Sequence, residues 1–140
     1  MLTITLLGTA ATMPLPDRAL SAAFAACGGH GLLWDCGEGT QAAAHRAGVN
    51  LMRADAICLT HYHATTSLVC RALCRLWGRR AAQGRLRCWV RRPAGYLAAV
   101  RALTGPLPYP VKPQVLMPGQ PLALDALSEA GLRARLVRCH

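Results

Sequence analysis

The stretch RADAICLTHYH, residues 53–63, decides how the rest of the chain is read. Ala56, Ile57, Cys58 and Leu59 form an apolar run of the length and composition of a buried strand. Thr60 ends the run, and the chain then delivers His61 and His63 with one residue between them. At a strand end, the period of two points both rings to the same side. Two imidazoles on one side can bind a single zinc at roughly 2.0–2.1 Å per nitrogen. Taken alone, the pattern is read equally well as two ordinary surface histidines. The following residues, Ala64, Thr65 and Thr66, add no further ligand of zinc-binding type.

Outward from this segment the pattern alternates. Upstream, residues 40–47 read as a short helix stopped by Gly48. Residues 22–27 and 31–34 flank Gly28-Gly29-His30, a hairpin signature. Residues 2–7 read as a strand ending at Gly8. Downstream, Leu68, Val69, Ala72, Leu73 and Leu76 fall on one helical face over 67–77, with Arg71, Arg75 and Arg79 on another. A strand over 85–90 and a helix over 94–103, just after Pro93, come next. Residues 104–121 hold six prolines and read as turn and extended chain, before a last short strand within 130–137. Strands alternating with short helices predict an α/β fold with a mixed sheet.

The 140 residues are one domain's worth of chain, 53% hydrophobic and 16% charged, a globular rather than disordered composition. No apolar run approaches the roughly 20 residues of a membrane-spanning helix, so no membrane role is expected. The N-terminus is apolar without a basic leader, and its Thr3 and Thr5 alternate as in a strand, which argues against a secretory signal. Seven cysteines, an odd number without a C-x-x-C, argue against a disulfide scaffold, and Cys27, Cys36, Cys58 and Cys88, inside apolar runs, read as reduced core thiols of a cytoplasmic protein. Cys70 and Cys74, four apart, read as helix packing rather than as a metal pair. The net charge of +10 is almost wholly arginine, Lys112 being the only lysine. It fits a polyanionic partner, or equally an arginine-rich composition spread over a solvated surface.

Three segments occurring in order carry a more specific signal: LLGTAATMPLPDRALSAAF (6–24), LLWDCGEGTQAAAHRAGVNLMRADAICLTHYH (32–63) and GQPLALDALSEAGLRARLVRCH (119–140). Together they resemble the first half of ribonuclease Z, the tRNA 3′-end processing endonuclease of the metallo-β-lactamase superfamily. The resemblance implies an αββα sandwich of which residues 1–140, a single partial domain, supply about one half. It also implies zinc. The family motif continues as H-x-H-x-D-H, so His61 and His63 match the first zinc site, while Thr65 and Thr66 stand at the Asp and His positions of the second. Hydroxyls do not replace those ligands, which leaves one zinc at most and no catalytic residue retained. Either threonine can instead cap a helix starting at Ser67.

Asp35 matches a family aspartate that orients the metal-binding loop, and a carboxylate can hold His61 or His63 through its other ring nitrogen. The plainer reading is that Asp35 and Thr40 cap the helix after Gly39. Glu38 reads as a helix-end charge. His140 matches a third metal ligand, whereas His30 and His45 read as solvent-facing. The expected function is that of a ribonuclease Z-like zinc phosphodiesterase, impaired as an isolated chain. The alternatives are a non-catalytic RNA-binding or partner-pairing subunit and a truncated relic of such a gene. Precursor tRNA, a second copy of the chain or a complementary half-domain are the implied partners.

Overall fold

The structure, a computed structural model, describes residues 1–61, 63, 87–90, 95, 98, 99, 102, 105, 112–115, 117, 121, 122, 134 and 135. The helix read over 67–77, Cys70, Cys74, Thr65, Thr66 and His140 lie outside the described residues.

Three antiparallel strands open the chain. β1 (Leu2–Ala10) pairs with β3 (Ala22–Cys27), and β3 pairs with β4 (His30–Trp34). The β3–β4 turn is Gly28-Gly29, both at positive φ (56° and 84°), the geometry that a two-residue hairpin turn requires. β1 does not end at Gly8. It bulges there and runs on to Ala10, pairing in parallel with β2 (Ala19–Leu20). Glycine is needed because a Cβ at position 8 would collide with the carbonyl oxygens of Leu20 and Ala19. A residue that reads as a stop in sequence is here a close backbone approach.

From β4 the sheet becomes parallel. α1 (Thr40–Arg46) crosses over to β5 (Ala54–Cys58), which lies beside β4. β5 is followed in the sheet by β6 (Arg87–Val90) and β7 (Lys112–Val115). The order among described strands is β2-β1-β3-β4-β5-β6-β7, and β8 (Pro121–Leu122) pairs separately with β9 (Ala134–Arg135). β7 arises inside the proline-rich stretch, where turn and extended chain are expected. β7 is last in the order of the described strands, and an outer strand is where a proline such as Pro113, which has no N–H, is tolerated. Of the helix expected over 94–103, Gly95, Ala98, Ala99 and Ala102 are helical.

α1 ends as its sequence dictates, with Gly48 at φ 67° past the last turn. Its start differs from the capping expectation. Gly39 is the N-cap, with no side-chain cap, and the buried Thr40 hydroxyl donates back to the Gly37 carbonyl at 2.6 Å. Asp35 is thereby left for another task.

One row crosses the sheet through Phe24, Leu33, Ile57 and Cys88, each paired with the next. All are buried, Leu33 and Ile57 completely, in a core with Ala43 and Ala44 of α1 and with Leu51. The opposite face carries the row Ile4, Ala25, Leu32 and Ala56. Its inner members are buried, but Ile4 is 59% exposed, and its β1 neighbours Leu2 and Leu6 on that face are exposed too. Among the described residues, the uncovered apolar surface on this face therefore falls on β1.

Candidate functional site

β4 and β5 run parallel, so their carboxyl ends share one edge of the sheet, the position at which open α/β sheets characteristically bind ligands. Asp35 leaves β4 directly, its N–H donating to the Cys58 carbonyl at 2.8 Å. Its φ of 52° lies in the left-handed region, which aspartate enters more readily than most residues. The carboxylate is turned onto Thr60. The Thr60 N–H donates to Oδ1 at 2.8 Å, and the Thr60 hydroxyl lies 3.0 Å from Oδ1 and 2.8 Å from Oδ2. That same hydroxyl is 2.9 Å from Nδ1 of His61. His61 and His63 stand edge-to-face, with ring centroids 4.8 Å apart and planes at 87°. Both are exposed, whereas Leu59, two residues before His61, is fully buried.

Asp35 thus reaches the His61 ring through Thr60, which in sequence only ends the apolar run. The available signal was a hydroxyl residue immediately before H-x-H. Burial pushes the Asp35 carboxyl above its ordinary value, with the Thr60 hydrogen bonds and then the His61 charge pulling the other way. Cys58, beneath the site, is pushed up to about 12 by burial first and the Asp35 charge second. Between its ordinary 9.0 and about 12, Cys58 ionises in the unfolded chain and not in the folded one. Its contribution to stability is therefore complete below that window and declines as pH rises through it. The nucleophile toward alkylating reagents is the thiolate. Iodoacetamide at pH 8 followed by peptide mapping is expected to label half-buried Cys27 before buried Cys36, Cys58 and Cys88. Equal labelling of Cys58 and Cys27 would contradict this packing.

The remaining histidines divide. His45 is exposed on α1. His30 is only half-exposed, its Nδ1 lying 3.2 Å from the Asp55 carboxylate, which also accepts the Gly31 N–H at 2.9 Å. His30 thus keeps 34% of its side chain exposed while pairing with a residue 25 positions away, which joins the start of β4 to β5. Glu38 is exposed before the helix, consistent with a terminal charge.

Among the described residues no group of three or more His, Cys, Asp or Glu side chains converges as a metal site. His61 and His63 are adjacent, accessible imidazoles at a strand end, a donor type that zinc takes. A four-coordinate ion needs further ligands.

No family model matches the chain. Over its N-terminal half it is 52% identical, across 64 residues, to ribonuclease Z of Agathobacter rectalis, covering 46% of this chain and 21% of that protein. Ribonuclease Z of Lachnoclostridium phytofermentans is 51% identical over 63 residues, 45% of this chain and 21% of that protein. The chain is ribonuclease Z-like. Its fold is that of the metallo-β-lactamases: human tRNase Z, short form, superposes with a TM-score of 0.68 at 27% identity, covering 84% of this chain and 45% of that one. At the level of fold alone, the Bacillus subtilis metallo-β-lactamase fold protein YhfI matches with a TM-score of 0.60 at 22% identity, over 87% of this chain and 48% of that one. The matched stretch thus spans about a fifth of the curated relatives and under half of these solved chains. Among the described residues no helix is long and apolar enough to cross a membrane.

Proposed function

We propose that this chain is a tRNA-directed member of the ribonuclease Z type, with one metal position built on His61 and His63 and with impaired hydrolysis. The observation that carries the reading is the Asp35–Thr60–His61 chain with His63 beside it, in a fold shared with tRNase Z. His140 is proposed as a further donor. A zinc ion held by these histidines would supply Lewis-acid polarisation of a phosphoryl oxygen. The chain's own residues orient the ring and attract the substrate class. Asp35 and Thr60 fix the His61 ring, and the arginines of the chain attract phosphates. Thr65 and Thr66 are neutral hydroxyl residues where the family motif has a carboxylate and an imidazole, so we assign no second metal and no proton-transfer group there. Reduced thiols fit a cytoplasmic setting.

The test is titration of a precursor tRNA at several salt concentrations, with cleavage followed in the same samples with and without added zinc. Binding that weakens with salt, with cleavage far slower than that of an intact ribonuclease Z, is expected. Salt-insensitive or absent binding overturns the RNA assignment, and cleavage at the rate of an intact enzyme overturns the impairment. A second reading, a partner-pairing subunit, is favoured by the exposed Leu2, Ile4 and Leu6. On that reading a second copy or a complementary half-domain covers β1, and Ile4→Lys with Leu6→Lys shifts sedimentation toward the monomer. Unchanged sedimentation in that double variant counts against it.

A further inference from the structure

Because β4 and β5 run parallel, their starts share the end of the sheet opposite to the one that carries His61 and His63. A cleft of about 410 Å³ lies there, within the roughly 300–1,000 Å³ of small-molecule sites. From the sheet it is lined by Thr3 and Thr5 of β1 and by their β3 partners Ala26 and Phe24. Val49 and Asn50 line it from the connection between α1 and β5, and the Gly28-Gly29 turn, His30 and Arg53 complete it. This is the face on which Phe24 packs with α1, opposite to the exposed Leu2, Ile4 and Leu6. The cleft is therefore separate both from the histidine pair and from the uncovered apolar surface.

Its polar groups are donors, or can donate. Arg53 brings a guanidinium, a fork of N–H groups, and stands beside the turn: a Cβ built on Gly29 would lie 4.0 Å from its Nη2. The Asn50 side chain accepts the Met52 N–H through its oxygen at 3.0 Å, which leaves the Nδ2 amino group as a donor. Thr3 and Thr5 add hydroxyls. No carboxylate is among the described residues that line the cleft. Asp55, outside the lining, accepts the Gly31 N–H and pairs with His30. Such a lining takes an anion, and the half-buried Ala26 and Val49 beside it take an apolar group. A phosphate has more terminal oxygens to offer these donors than a carboxylate has, and arginine pairs with it bidentately.

We propose that this cleft is a second binding site, for a small phosphate monoester. Arg53 and the Asn50 amide hold the phosphate, and the ester's apolar group lies against Ala26 and Val49. The site needs neither a metal nor RNA at the other end of the sheet.

The test is titration of the full chain, labelled with ¹⁵N, with phenyl phosphate, read from the amide chemical shifts. Inorganic phosphate and benzoate are the comparison probes. Phenyl phosphate is expected to move the amides of Gly28, Gly29, Asn50 and Arg53 most, and to bind more tightly than either comparison probe. Arg53→Gln is expected to weaken it at least about 10-fold, as for the loss of a charge-assisted hydrogen bond. Asn50→Asp keeps the side-chain oxygen that caps the following turn and replaces the donor by a carboxylate, so it is expected to abolish binding in a folded chain. Both positions are exposed, and the amide spectrum of each variant reports its fold directly. An affinity unchanged in the two variants overturns the inference, as does the absence of any shift at millimolar phenyl phosphate. Shifts centred on His61 and His63 would place the anion at the other end of the sheet and overturn it too. Benzoate bound as tightly as phenyl phosphate would overturn the choice of a phosphate.

Discussion

Replacing Leu33 with alanine is expected to destabilise the chain by about 2–5 kcal/mol, whereas Leu6→Ala should cost less than about 0.5 kcal/mol. The two residues have the same side chain and sit on neighbouring parts of one sheet. Leu33 is fully buried at the centre of the row Phe24, Leu33, Ile57 and Cys88, so its removal opens a cavity between two filled positions. Leu6 is 70% exposed on the opposite face of β1, and its removal leaves no cavity. Urea denaturation of both variants against the wild type reads the difference. A large cost for Leu6→Ala would mean that β1 is covered in solution, which would transfer weight to the partner-pairing reading. A small cost for Leu33→Ala would contradict the register of the sheet itself.

The sequence features that proved legible were local. Gly28 and Gly29 specify their hairpin because few other residues accept the two positive φ values. Gly48 ends α1 for the same reason, and the apolar run before Thr60 is long enough to identify β5. What escaped was non-local. Gly8 looks like a strand end, yet its role depends on the carbonyls of Ala19 and Leu20, which β2 brings across. His30 looks like a turn residue until β5 supplies Asp55. Asp35 looks like a helix cap because it precedes α1 by a few residues, but its left-handed backbone turns it onto Thr60, 25 residues away. Parallel pairing of β4 with β5 is what converts these distant residues into neighbours. The closeness of His61 to His63 follows from spacing, while the chain that orients His61 follows from topology.

Replacing His61 or His63 with alanine is expected to abolish the metal binding proposed for this chain, a larger effect than any other single change at the site. A wild-type preparation loaded with zinc and desalted is expected to retain about one ion, since Thr65 and Thr66 provide no second set of donors. Each histidine is a donor, and losing one leaves too few strong ligands to compete with water. The affinity should therefore fall by more than the roughly 10–100-fold that follows removal of an orienting group. His45→Ala, an exposed helix position, is the matched control and should leave the zinc content unchanged. Elemental analysis of the four proteins, before and after a chelator, gives the answer in one experiment. Zinc retained equally in all four would place the metal elsewhere and remove His61 and His63 from the site. Zinc absent from the wild type would end the metal-centre reading for this chain, and its relation to RNA would then rest on the arginines alone.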